Sequence, residues 1–221
     1  MDLTIITVLK SGPNWIPDYV YKLKKSLDCN LSIPYRFVCL SDINLNVETI
    51  PLLPLHGTKK SLPGFWYKPQ IFRKELGFNK QCLFLDLDTI IAGKLDDIIF
   101  ELTPYPFLMA EDPFKGKIHS SFLMWWQGDY SYIWDRFLTN PVGHWHSTYN
   151  KDQGMISYGD QGFIADTVKD HEIIQNILKN PKDIDRIRKT KNTNNSKIIV
   201  CSGKRKPWEM QDHPDVQLHW K

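Results

Sequence analysis

Two carboxylates one residue apart, Asp86 and Asp88, close a short apolar run, Cys82-Leu83-Phe84-Leu85, and a second apolar pair, Ile90-Ile91, follows them. In an extended chain, residues i and i+2 project to the same side, so the two carboxylates point together off the end of a buried strand. Carboxylates that close repel each other unless a cation or a proton lies between them. Oxygen donors of this kind select a hard ion, magnesium or manganese, with positions left open for substrate phosphate. The competing reading is an Asp-rich turn that merely ends a strand, since Asp favours turns. The apolar residues on both sides weigh against it, because a solvated loop is seldom clamped between buried runs.

The strand carrying the pair sits in an alternation of apolar runs and helical periods. Residues 3–9 form a β-rich run that ends in the loop Lys10-Ser11-Gly12-Pro13, and Tyr19, Val20, Leu23 and Leu27 then recur at helical spacing. Residues 34–40 make a second strand stopped by Ser41-Asp42, and residues 50–55, broken by Pro51 and Pro54, read as an edge strand. The order predicts an α/β fold: one domain with a mixed, mainly parallel central sheet flanked by helices. Beyond it the sequence predicts a helix over 71–76 closed by Gly77, a short helix or turn over 97–102, and strands over 105–110 and 118–126 with a turn at Gly128-Asp129. A helix over 132–138, an irregular aromatic surface loop over 139–158, a helix over 163–168 and a strand over 198–201 complete the chain. Ligands of open parallel sheets collect at the carboxyl ends of strands. Asp86 and Asp88 lie at such an end, and so do Lys10 and Asp42.

With 221 residues the chain can bury a sizeable single core. Its net charge of +3 is too small to argue for nucleic acid. Eight Trp are many; such rings line carbohydrate or nucleobase pockets, although packing claims most aromatics in any protein. The N-terminal apolar run is short and lacks a basic start, so neither a signal peptide nor a transmembrane segment is expected. Cys29, Cys39, Cys82 and Cys201 show no metal-ligand spacing, and three of them lie in apolar runs. Buried free thiols and a cytoplasmic setting are the expectation.

Several segments, taken in order, carry a resemblance. They are Thr7 to Gly12, Phe37-Val38-Cys39-Leu40-Ser41-Asp42, Trp66-Tyr67-Lys68, Phe84-Leu85-Asp86-Leu87-Asp88 with Thr89 and Gly93, Ser120 to Trp125, Gly159-Asp160-Gln161, and the tail Gly203-Lys204-Arg205-Lys206-Pro207-Trp208. Together they resemble the GT-A glycosyltransferases, in particular the family 8-like and glycogenin-like enzymes, over nearly the whole chain. The resemblance implies one GT-A (Rossmann-like) domain, with a nucleotide-binding half over 1–110 and an acceptor half with a closing tail over 111–221. It implies transfer of a sugar from a nucleoside diphosphate sugar, with uridine the favoured base, to a glycan, lipid-linked or protein acceptor.

In that resemblance Asp86 and Asp88 hold manganese or magnesium on the diphosphate, and Asp86 and Leu87 also approach the nucleotide. Thr7, Val8, Lys10 and Asp42 surround base and ribose. Lys68 lies near the nucleotide, although a solvent-facing lysine at a helix start fits the same pattern. Ser121 sits near the donor sugar or is simple packing. Gly203 and Lys206 meet the phosphates, unless Lys206 belongs to a solvated basic face. Asp160 and Gln161 approach donor sugar and acceptor as the catalytic residues, and Asp160 also suits the N-cap of a helix starting near Gly162. One departure stands out: the family's tail histidine is replaced by the stretch Val200-Cys201-Ser202, so Ser202, a water or His213 is left to complete the metal shell. A degenerate GT-A domain that binds without turnover is the alternative this departure supports. Haloacid-dehalogenase-like phosphatases also use Asp-x-Asp, but on a first strand and with a differently spaced Thr, and sugar nucleotidyltransferases need a more glycine-rich first loop than Lys10-Ser11-Gly12-Pro13.

Overall fold

The computed structural model describes residues 2–55, 62–78, 81–112, 117–126, 130–149, 157–187, 193, 195–201, 203 and 205–221. In chain order the elements are β1 (Leu3–Leu9), α1 (Pro17–Asn30), β2 (Tyr35–Ser41), β3 (Thr49–Pro51), a 3-10 stretch Gly64–Phe72, β4 (Gln81–Leu85), β5 (Ile90–Ile91) and α2 (Asp96–Leu102). Then come β6 (Phe107–Asp112), β7 (Lys117–Trp126), α3 (Ser131–Thr139), α4 (Pro141–His146), β8 (Thr148–Tyr149), β9 (Ser157–Tyr158), α5 (Gly159–Thr167), β10 (Glu172–Ile173) and α6 (Ile174–Ile177). The chain ends with β11 (Ile184–Arg186), β12 (Ile198–Val200) and α7 (Pro214–His219).

Seven strands form one sheet in the order β10-β6-β7-β4-β1-β2-β3. All neighbours are parallel except β7, which runs antiparallel between β4 and β6. Strands of such a sheet are covered on both faces and so read as continuous apolar runs. Leu83 and Leu85 of β4 face one core with Leu3, Ile5, Leu9 and helices α1 and α2; Cys82 and Phe84 face the other with Ile6, Val38, the 3-10 stretch, α3 and α5. A smaller sheet, β11-β12-β5, was not anticipated as a unit. Of its strands β12 matches the one expected over 198–201, while β5 and β11, two and three residues long, are below what periodicity can register.

Two sequence expectations are corrected. The helix foreseen over 71–76 is instead the 3-10 stretch Gly64–Phe72 with a separate 3-10 turn Lys74–Leu76. Pro69 lies inside it, and a proline there removes a helical N–H and would collide with an α-helical carbonyl one turn back. The supposedly irregular 139–158 region contains α4, started by Pro141 and capped by Asn140, whose side chain accepts from Gly143 N at 2.9 Å, and the paired β8 and β9. The Gly128-Asp129 turn lies outside the described residues.

Candidate active site

The chain runs outward from β1 through β2 to β3, then returns to place β4 on the other side of β1. The reversal makes a crevice at the carboxyl ends of β1 and β4. Antiparallel register sets Leu85 opposite Phe122, so the residues before Phe122 in β7 arrive just beyond the end of β4, and Asp86 N donates to Ser121 O at 2.9 Å. The β6–β7 ladder shifts register between Met109 and Ala110, which frees this part of β7 from regular pairing. From the other side, β12 pairs antiparallel with β5, Ile199 opposite Ile90; continuing the register by two residues sets Cys201 opposite Asp88. The tail therefore folds back onto the carboxylate pair.

A cavity of about 500 Å³ opens there. Its walls come from Val8, Lys10 and Trp15 after β1, Gly64, Phe65 and Lys68 of the 3-10 stretch, and Asp86, Leu87 and Asp88 after β4. His119 and Ser120 of β7, Asp160 and Gln161 of α5, and Cys201, Gly203 and Lys206 of the tail close it. Gly203 has φ 62°, a left-handed conformation that favours glycine and turns the chain toward the cavity.

Lys68 is 4% exposed, which removes the solvent-facing reading. Its ammonium lies 2.7 Å from Asp160 Oδ2 and 3.1 Å from Asp86 Oδ1, and donates to Ser120 Oγ at 2.8 Å. Ser120 O–H in turn donates to Asp160 Oδ2 at 2.7 Å. Burial alone would lower the Lys68 pKa, but the Asp160 and Asp86 charges outweigh it and hold the ammonium above its ordinary value. Asp160 lies within the first turn of α5 rather than ahead of it, and its carboxylate is engaged by Lys68 and Ser120. The helix begins a few residues earlier than expected because Gly159, at φ 71°, makes the turn into it.

Asp88 is 2% exposed and in direct contact with the Lys206 ammonium. Burial pushes the Asp88 carboxyl up, and Lys206 opposes that push. Burial would lower Lys206, but the Asp88 charge outweighs it and raises the ammonium. The contact with Asp88 at the cavity wall shows that Lys206 is no member of a solvated face. Lys10 pairs with Asp42, which also accepts from Ser11 N at 2.7 Å; Asp42 thus holds Lys10 and does not itself line the cavity.

Two sequence candidates sit behind the wall. Thr7 is fully buried and donates its hydroxyl to Leu85 O at 2.9 Å, tying β1 to β4. Ser121 is fully buried with its Oγ 2.6 Å from His119 Nδ1. Its neighbours His119 and Ser120 face the cavity instead, and sequence reasoning missed both. Strand alternation alone would set the adjacent His119 and Ser120 on opposite faces; the register shift in this part of β7 lets both line one cavity. Trp15, Phe65 and Cys201 were also missed; among the other tryptophans, Trp125 is 2% exposed and packs in the core, and Trp126, Trp145 and Trp208 do not line the cavity. His213 is buried rather than superficial and accepts from Asp215 N at 3.3 Å, away from the carboxylate pair's cavity. Ser202 lies outside the described residues.

No family model and no curated protein matches this sequence. Solved structures do. The galactosyltransferase LgtC in complex with donor and acceptor sugar analogues is 14% identical with a TM-score of 0.59, over 99% of this chain and 91% of that one. An active-site mutant of LgtC is 11% identical with a TM-score of 0.60, over 95% and 90%. The glycosyltransferase GlyE of Streptococcus pneumoniae TIGR4 is 13% identical with a TM-score of 0.54, over 94% of this chain and 57% of that one. At such identities the likeness establishes the fold: this chain has the GT-A fold that these glycosyltransferases share.

A divalent cation, which that fold implies, can be tested against the residues present. Among the described residues no group of three or more His, Cys, Asp or Glu is placed to hold a metal. The cavity nevertheless gathers three carboxylates, Asp86, Asp88 and Asp160, against two ammoniums, Lys68 and Lys206, with Lys10 already offset by Asp42. Hard oxygen donors and a surplus negative charge suit a dication whose shell is completed by phosphate oxygens and water. The donor set fits such an ion, and Asp86 and Asp88 are the residues that would hold it.

Proposed function

We propose that this protein transfers a sugar from a nucleoside diphosphate sugar, a UDP-sugar in the first instance, to an acceptor hydroxyl on a glycan, lipid or protein, with manganese or magnesium held by Asp86 and Asp88. The observation that carries this reading is the convergence of Asp86, Asp88, Lys68, Asp160, Gln161 and Lys206 on one cavity at the reversal point of the sheet. A diphosphate would meet a net negative cavity without a cation and a favourable one with it. When bound, that cation neutralises the charge gathering on the leaving diphosphate as the glycosidic bond breaks.

The chain's own groups divide the remaining work. Lys206 and the Gly203 backbone take the phosphates, while Val8 and Lys10 border the nucleoside. Lys68 fixes the orientation of Asp160 and Asp86. Asp160 and Gln161 face the donor sugar and the incoming hydroxyl, and the fixed dipoles around them replace water without reorganising. Phe65 and Trp15 at the edge limit the entry of water. The thiols suit a reducing cytoplasm, and among the described residues no helix is long and apolar enough to cross a membrane.

Calorimetric titration of UDP and GDP, with and without MnCl2, on wild type and Asp88→Asn tests the reading. UDP binding that needs manganese and disappears in Asp88→Asn supports it; tight binding indifferent to both defeats the metal role. Because the family's tail histidine is absent, a binding domain without turnover is the second reading. A panel of UDP-sugars assayed for hydrolysis or transfer separates the two.

A further inference from the structure

Two of the cavity lysines, Lys68 and Lys206, are held very differently. The Lys68 ammonium has five oxygens of three residues, Asp86, Ser120 and Asp160, within 3.3 Å, and its side chain is 5% exposed. Lys206 has one hydrogen-bond partner among the described residues, Asp88, and its side chain keeps 22% exposure. It also lies on the tail, 118 residues from Asp88 in sequence, with its ammonium 5.7 Å from the centre of the Trp15 ring at the cavity wall. One lysine is locked in place. The other bridges a buried carboxylate and open space.

We propose that Lys206 is an exchangeable internal counter-cation, which occupies Asp88 in the ligand-free protein, yields it to the divalent cation, and carries its ammonium onto the incoming diphosphate. This rests on the nucleotide and metal reading given above. The physical reason is charge balance. A buried carboxylate left unpaired is strongly destabilising, and Asp86 one residue away would make matters worse. Lys206 removes that penalty when no ligand is present. A dication arriving alone finds its principal carboxylate taken, and a diphosphate arriving alone meets surplus negative charge. Arriving together they satisfy every group: the cation neutralises Asp88 and the phosphates receive the released ammonium. Cation and nucleotide therefore raise each other's affinity by one common factor.

The test is calorimetry with MnCl2 alone, UDP alone, and UDP in saturating MnCl2, on wild type and Lys206→Met, with thermal melts alongside. Manganese alone is expected to bind Lys206→Met at least about tenfold more tightly than wild type, and to raise the melting temperature of the variant more than that of wild type. The factor by which manganese strengthens UDP binding is expected to shrink in the variant. Equal affinity of manganese alone for both proteins overturns the exchange, as does UDP binding by wild type that ignores manganese. Lys206→Gln, which keeps a polar contact to Asp88, serves in the same titrations if the methionine variant does not fold. The Asp88→Asn/Lys206→Met double variant must lose the gain, since the carboxylate being contested is gone; a gain that persists places manganese elsewhere and overturns the proposal. If wild type binds no UDP under either condition, the nucleotide reading fails, and the manganese-only comparison still decides whether Lys206 holds Asp88.

Discussion

A lysine deprived of water stays charged only where carboxylates and hydroxyls replace its hydration. Lys68 meets that condition with Asp160, Asp86 and Ser120, and the cluster joins four segments that are far apart in sequence. Lys68→Met leaves two carboxylates facing each other at the base of the cavity. It is expected to cost about 3–5 kcal/mol in urea denaturation, the range for breaking a buried ion pair from one side. A loss below about 1 kcal/mol, typical of exposed pairs, would mean that water already screens the cluster. Ser120→Ala removes one donor to Asp160 and is expected to cost about 1–3 kcal/mol in the same assay, the range for a buried polar group left short of a partner.

At the scale of elements, the 3-10 stretch can present Lys68 only because its neighbour Trp66 is anchored. The Trp66 ring stacks on Phe137 of α3, with centroids 5.6 Å apart, and meets Phe163 of α5 edge-on at 6.1 Å. Phe137→Ala is expected to cost about 3–5 kcal/mol and to loosen both elements that carry Lys68 and Asp160, so calorimetric affinity for any cavity ligand should fall with it. On the opposite face, Asp96 at the start of α2 accepts from Ser32 Oγ at 2.6 Å, Ser32 N at 3.0 Å and Ile33 N at 3.2 Å. The Ser32 hydroxyl chiefly, with the Ser32 and Ile33 amides adding to it, holds this carboxyl below its ordinary range against the opposing effect of burial. With the folded pKa depressed, its contribution is fully present above the unfolded value near about 3.9 and is lost as pH falls through the folded pKa. Asp96→Asn is expected to lower stability at neutral pH by about 1–2 kcal/mol and to flatten the acid limb of a stability-versus-pH curve. An acid limb that the substitution leaves unchanged would contradict this assignment.

For the whole molecule, burial of both sheet faces makes the thiols a sensitive reporter of integrity. Cys39, Cys82 and Cys201 are buried and Cys29 is exposed. Burial raises the Cys39 and Cys82 thiols to about 12, and pushes Cys201 well above its ordinary value, with the Asp88 charge adding to the effect. A thiol-specific chromogenic reagent should therefore meet one fast thiol in the native protein and all four in denaturant. More than one fast thiol in the native state would show that the core opens more readily than its packing implies.

Much of the architecture was legible because it is written locally. Apolar runs matched β1, β2, β4 and β7 to within a residue or two, and the i, i+2 spacing put Asp86 and Asp88 at a strand end, since side-chain alternation depends only on the extended backbone. β12 was legible too, as the strand over 198–201, whereas the short strands β5 and β11 left no such trace, and the apolar period at 71–76 carries no sign of the proline, Pro69, that breaks an α-helix just before it. Local spacing also left open whether Lys68 and Lys206 faced solvent, and which of Ser120 and Ser121 faced the cavity. The partners of those side chains lie up to 118 residues away and are set by strand order and register. By itself the sequence determined an α/β chain with paired carboxylates at the end of a buried strand. Only the tertiary structure decided which lysines answer those carboxylates, because that depends on how β4, β7 and the β5–β12 pairing bring distant segments to one edge of the sheet.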